Sequence, residues 1–292
     1  MGFWKTFFGG EETNPEEEKK NNEARNFDLL KYDGVKAMRI HQMDYAVKCF
    51  REALKLKDDL ETRDYLSQAL LASGALDESL AELKTIAAQA PDNIKVLLQA
   101  AHVAYLTEDY AEMKALCLQA QEQTGDNATI SYMLGQAAKG EGDLVEAIAL
   151  LTKAIALDEQ QGDARLLRAR TLLAMGDAKG AREDADWLVS HTEDNEDVLL
   201  LAARVAYAEG NAAEAIAIYD KVMELNPFQL DALRERGKLK MEQGDKRGAE
   251  EDMRHLLELN PGELDGTNGE YEAEGVEQMM KRAYSPINPF GL

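Results

Sequence analysis

Gly142-Asp-Leu-Val-Glu-Ala147, Gly176-Asp-Ala-Lys-Gly-Ala181, Gly210-Asn-Ala-Ala-Glu-Ala215 and Gly244-Asp-Lys-Arg-Gly-Ala249 are variations on one hexapeptide, met four times at intervals of 34 residues. Self-similarity at a fixed pitch of this size is the mark of a stacked repeat architecture, so it outranks any local reading of secondary structure. Extending the register towards the N-terminus from the closing Ala places Met113, Ser79 and Ala46 on the same lattice, the last step being 33 residues. Five residues before each of these anchors stand His41, Gly74, Glu108, Gly142, Gly176, Gly210 and Gly244. Glycine there predicts a left-handed turn that closes one helix before the next begins. Twelve residues before the anchors stand Gly34, Ser67, Ala101, Gly135, Ala169, Ala203 and Gly237, all small, as two closely approaching helices require.

With those residues in place, the chain resembles the tetratricopeptide repeat, a helix-turn-helix unit with small eighth and twentieth residues and a bulky twenty-fourth. Phe50 and Tyr219 supply the bulky residue, Ala53, Ala120 and Ala154 a small twenty-seventh one, and Pro91, Pro227 and Pro261 the terminal stop. The resemblance runs from Phe27 to Pro261. It implies an all-α, right-handed α-α superhelix, a solenoid of about seven units, with the first helix of each pair lining a concave side. Two departures stand out. His41 and Glu108 replace glycine, and Met113 replaces a small residue, which predicts strained or irregular turns in the first and third units.

The expected division of the chain is residues 1–26 as a flexible N-terminal segment with an aromatic patch, 27–261 as the repeats, and 262–292 as a loop, a capping helix and a tail. Glu11 to Asn22 is a charged, polar stretch unable to pack. Val276, Met279, Met280 and Ala283 give the stretch from Glu270 to Tyr284 the pattern of a cap over the last unit. Phe3, Trp4, Phe7 and Phe8 share one side of a helical turn and a half, which suits a weak contact with a membrane surface or a partner's groove. The opening Met-Gly-Phe-Trp-Lys-Thr also fits a minimal myristoylation pattern, and Asn288-Pro289-Phe290 a short sorting peptide; both patterns are short enough to arise by chance.

Composition narrows the function. The 292 residues hold 33 Lys and Arg against 55 Asp and Glu, a formal charge of −22, which argues against nucleic acid as a partner. Only Cys49 and Cys117 occur, each within an apolar helical pattern, so a secreted disulfide framework is excluded and a cytoplasmic location is expected. No apolar run reaches the roughly 18 residues of a membrane span. The four His lie in different units and no Cys pair has metal spacing, so neither an enzyme, a cofactor nor a metal site is expected. Gly140-Glu-Gly142 follows a helix and lacks a Lys-Ser/Thr, so it is no phosphate loop.

What remains is a binding face. The ninth residue of each unit reads Val35, Gln68, His102, Gln136, Arg170, Arg204 and Lys238, a ladder apolar at one end and cationic at the other. Leu98, Tyr105, Tyr132, Leu166, Leu173, Leu200 and Tyr207 flank it from the fifth and twelfth positions, and Arg234 adds to the cationic end. Such a lining complements a protein or peptide segment carrying acidic groups, the aromatics supplying affinity and the cations orientation. A structural alternative is that Asp197 and Asp231, each at the second position of the following unit, neutralise Arg170 and Arg204. Arg168 and Arg236 are read differently: Asp184 and Asp252 follow each by 16 residues, the spacing of an ion pair between the two helices of one unit.

The family resemblance also allows one specific role to be tested. Members that clamp the C-terminal carboxylate of a heat-shock chaperone use Lys, Asn, Asn, Lys and Arg at positions that here hold Lys31, Val35, Tyr65, Lys95 and Gln99. Two of the five match, so the charge-assisted cradle cannot be assembled. A second reading of the chain is an assembly subunit that self-associates, its groove filled by a tail such as Tyr284 to Leu292.

Overall fold

The computed structural model describes residues 15–260, which fold into helices alone. They form two compact units, divided between Asp126 and Asn127. The first holds three helix pairs: α1 (Pro15–Arg39) with α2 (Met43–Leu56), α3 (Leu60–Ala72) with α4 (Leu76–Gln89), and α5 (Ile94–Leu106) with α6 (Tyr110–Thr124). The second holds four: α7 (Ala128–Gly140) with α8 (Leu144–Leu157), α9 (Gly162–Ala174) with α10 (Ala178–His191), α11 (Glu196–Ala208) with α12 (Ala212–Leu225), and α13 (Leu230–Glu242) with α14 (Lys246–Leu259). Within each unit every helix packs on the next in sequence, the stacking of an all-α solenoid.

Local chemistry explains why the helices start and stop here. Asp59, Asn93, Asp109, Asn127, Asp143, Asp177, Asn195 and Asp245 are N-caps whose side chains accept from the backbone N–H three residues on. At the other end, all seven first helices close with the same turn. Its central residue has positive φ: 82° at Gly74, 84° at Gly142, 81° at Gly176, 85° at Gly210 and 83° at Gly244. Its N–H and that of the following residue bond back to the helix, as in Gly74 N to Leu71 O at 3.1 Å and Ala75 N to Leu70 O at 2.9 Å. His41 and Glu108 adopt the same conformation, at φ 57° and 58°, with the same pair of hydrogen bonds. Those two turns are therefore regular in shape, and the strain resides in forcing a side-chain-bearing residue into left-handed backbone.

Packing follows the register. The anchors Ala46, Ser79, Met113, Ala147, Ala181, Ala215 and Ala249 are all fully buried, so the third pair accommodates methionine where the others use a small residue. The small eighth residues make room for the bulky twenty-fourth. A Cβ on Gly34 would lie 2.5 Å from the Phe50 ring, and one on Gly135 would lie 2.8 Å from Leu151. The expected ion pairs are present: Arg168 donates from Nε and a terminal nitrogen to the fully buried Asp184 at 2.8 and 2.7 Å, and Arg236 does the same to Asp252 at 3.0 and 2.5 Å. Each Arg also reaches the second helix of the preceding pair, through Thr152 at 3.0 Å and Asp220 at 2.8 Å, so it binds successive hairpins as well as the two helices of its own.

One boundary differs from expectation. The polar stretch ahead of Phe27 is exposed but helical, because α1 begins at Pro15. Glu16, Glu17 and Glu18 occupy its first turn, where carboxylates meet the positive end of the helix dipole. The N-terminal aromatic patch, the Gly262–Gly269 loop, the capping stretch and the C-terminal tail lie outside the described residues.

Candidate functional site

The expected binding residues divide between the two units, with Leu98, His102 and Tyr105 on α5 and the other nine on α7, α9, α11 and α13.

In the second unit the ladder stands on successive first helices, and its rungs are bridged. Arg170 donates to Asp197 at 2.9 Å and Arg204 to Asp231 at 3.2 Å, the neutralising contacts that the spacing allowed. Arg204 goes further. Its Nε and a terminal nitrogen make three hydrogen bonds of 2.6 to 3.0 Å to Glu235, a carboxylate only 6% exposed that also accepts from the buried Tyr219 hydroxyl. Burial alone would lower the basicity of Arg204, but the Glu235 carboxylate raises it above its ordinary value; burial and then Glu235 push the Tyr219 phenol up. Arg204 is thus a half-buried cation that joins α11, α12 and α13 and is already held by two carboxylates. No sequence spacing had singled out Glu235.

The rest of that end is also charge-balanced. Arg234 donates to Asp231 at 2.7 Å, while Lys238 lies 5.7 Å from the Tyr207 ring centre and 3.9 Å from Glu242. The Tyr207 hydroxyl donates to Glu242 at 3.2 Å. Leu200, expected to supply contact area, is 5% exposed and sits in the core with Ala203 and Tyr219, because its position on α11 faces the neighbouring hairpin. Leu166 and Leu173 are partly buried against the core around Ala169 and Leu188 and keep an edge open.

The under-compensated positive charge lies elsewhere, between α7 and α9. Lys139 is half-buried at the twelfth position of its unit, a column that otherwise reads Met38, Leu71, Tyr105, Leu173, Tyr207 and Met241. Burial first, and then the charge of Arg170, hold its ammonium below the ordinary lysine value. No carboxylate among the described residues pairs with it. Beside it, Gln136 Nε2 donates to the Tyr132 hydroxyl at 3.2 Å. A lone charged residue in an apolar column was the signal in the sequence that the ninth-position reading passed over.

In the first unit, α3, α4 and α5 line an open pocket of about 590 Å³ walled by Leu71, Leu83, Ile94 and Leu98, with Lys95 and His102 also contributing. The buried Oε1 of Gln99, another lining residue, has no hydrogen-bond partner among the described residues. Tyr105 is half-exposed and meets Tyr110 edge-on at 6.3 Å. Of the chaperone-clamp positions, Lys31 is already held by Asp59 at 3.0 Å and Glu61 at 2.5 Å. Among the described residues no group of three or more His, Cys, Asp or Glu is placed to hold a metal ion, and no helix is long and apolar enough to cross a membrane.

Helix pairs on one pitch, closed by one turn and presenting a row of first helices, define an all-α repeat protein. Residues 138–205 match one family model described as tetratricopeptide repeat, and residues 196–229 match a second of the same description. The chain is a tetratricopeptide repeat protein. Among solved structures, a tetratricopeptide repeat protein from Parabacteroides merdae is similar over 89% of this chain and 99% of its own, with 16% identity and a TM-score of 0.67. PilW, a type IV pilus biogenesis factor, is similar over 69% of this chain and 94% of its own, with 18% identity and a TM-score of 0.62. YrrB, described as having an unusual peptide-binding site, is similar over 63% of this chain and 95% of its own, with 20% identity and a TM-score of 0.50. At these identities the likeness carries the fold alone. No curated protein matches the sequence.

Proposed function

We propose that this chain is a non-enzymatic scaffold that holds an acidic segment of a protein partner on the first-helix face of residues 127–260, with a partner carboxylate seated at Lys139 and Arg170. The observation that carries this reading is Lys139, a half-buried ammonium beside a second cation with no carboxylate of its own among the described residues. A ligand carboxylate offsets the burial cost of that charge and the repulsion from Arg170, and Arg170 exchanges Asp197, itself 70% exposed, for the ligand. Tyr132, Gln136, Leu166 and Leu173 provide the half-open surface around it. Such binding takes up a proton wherever Lys139 is partly neutral, so affinity falls as pH rises through the lowered lysine pKa.

The test is an array of twelve-residue peptides alternating Glu or Asp with Leu or Phe, probed with the wild type, Lys139→Glu with Arg170→Glu, and Lys179→Glu on the exposed start of α10 as a control. The expected result is capture by the wild type and control and at least tenfold weaker capture by the double variant, at unchanged helicity. Equal capture by all three would remove the proposal.

A further inference from the structure

The outer face of α1 is an exposed stripe of mixed character. Phe27, Gly34 and Ala37 turn one side of this helix into the first hairpin, where all three are buried. On the opposite side Leu29 is 53% exposed and Tyr32 is 67% exposed, and Ile40, just past the helix end, is 57% exposed. At 100° per residue Glu18, Arg25, Leu29, Tyr32 and Lys36 fall on that same side, with Arg39 at its edge. The stripe from Glu18 to Arg39 is about 32 Å long at 1.5 Å per residue. Its charge is polarised: Glu16, Glu17 and Glu18 open the helix, and Lys36 and Arg39 close it. Arg25, Lys36 and Arg39 are exposed and have no carboxylate partner among the described residues.

A second feature points the same way. Residues 16–26 extend α1 well beyond the hairpin with every side chain exposed. Tertiary packing supplies most helical stability, and this extension has none among the described residues, so a second surface along α1 would add to its stability.

We infer that this face is a docking surface for α1 of a second copy of the chain, packed antiparallel about a two-fold axis near residues 28 and 29. This inference does not rest on the proposed peptide-binding role. A parallel arrangement sets Glu16, Glu17 and Glu18 against their own copies and Lys36 against Lys36. The antiparallel one brings Glu18 opposite Arg39 of the second copy, lays Arg25 against the Tyr32 ring, and meets Leu29 with Leu29 at the centre. Because the contact is isologous, the Glu18–Arg39 and Arg25–Tyr32 pairs each occur twice, while Leu29 meets its own copy once at the axis.

The experiment is sedimentation equilibrium of the full chain over a hundredfold range of concentration at low salt. The expected wild-type behaviour is a monomer–dimer equilibrium above the 32.4 kDa monomer mass. Leu29→Asp with Tyr32→Asp is expected to raise the dissociation constant at least about tenfold. Glu18→Arg and Arg39→Glu, each alone, weaken association about fivefold, and together in one chain they restore it. All four residues are exposed, so circular dichroism should be unchanged and loss of fold is separable from loss of contact. A monomer at every concentration, a dimer indifferent to the Leu29 and Tyr32 changes, or a double charge swap that does not restore association would each overturn the proposal.

Discussion

The two hairpin turns that lack glycine give the most direct test of the physical reading. His41 and Glu108 hold φ 57° and 58° at the position where five other turns place glycine at 81° to 85°. An L-residue there suffers contact between its Cβ and the neighbouring carbonyl, about 1 to 2 kcal/mol. At Gly74, Gly142, Gly176, Gly210 and Gly244 a Cβ would meet nothing within 4 Å, so at these turns the cost of a side chain is one of backbone conformation alone. Replacing His41 or Glu108 with Gly relieves that strain but gives the unfolded chain about 0.5 to 1 kcal/mol more conformational entropy. The net expectation is stabilisation of about 0.5 to 1 kcal/mol per site, and Gly74→Ala should lose a comparable amount. Urea unfolding followed by circular dichroism measures this, with the midpoint rising for His41→Gly and Glu108→Gly, falling for Gly74→Ala, and the slope unchanged. A lower midpoint for both glycine variants would refute the argument that these turns are strained by their side chains.

Gly34→Ala pits helix propensity, about 1 kcal/mol in favour of Ala, against a Cβ placed 2.5 Å from the Phe50 ring. The clash should win by about 1 to 2 kcal/mol in the same unfolding assay, and Phe50→Leu should recover part of the loss. Asp59 caps α3; burial would raise its carboxyl, but hydrogen bonds from Thr62 and Lys31 bring it down to about 2. Its unfolded value is about 3.9, so its contribution is complete above that pH and fades as pH falls towards 2. Screened by solvent, that contribution is about 1 kcal/mol, and Asp59→Asn should show a correspondingly smaller drop in urea midpoint between pH 5 and pH 2.5. Burial pushes the Cys117 thiol up to about 12, and Cys49 is only 4% exposed. Neither should react with iodoacetamide at pH 8 until the chain is unfolded, as mass spectrometry of the labelled protein will report.

Most of the fold could be read from the sequence because its determinants are local and repeated. The left-handed turn, the fully buried anchors and the small eighth residues recur on one pitch, and each needs only a neighbouring hairpin to act. Even the pairs of Arg168 with Asp184 and Arg236 with Asp252 were legible, since one offset appears twice. The helical character of residues 15–26 was less so, because a polar stretch with no apolar face gives no periodic signal, and only its acidic first turn favours a helix.

For the candidate positions, placement on the first helices was legible in the sequence and the pairing of their charges was not. Sequence alone determined which side chains stand on the first-helix face, because repeat register sets that by symmetry. It did not determine which of them are already engaged. Leu200 went into the core, Arg204 was consumed by Glu235, and Lys139 was left in an apolar column without a carboxylate. Those outcomes depend on contacts such as the 2.6 to 3.2 Å ones from Arg204 to Asp231 and Glu235, 27 and 31 residues away, where pairing is decided by which carboxylate the packed helices bring within reach. Register is a one-dimensional property that the chain carries along its length, whereas compensation of charge belongs to the packed helices alone.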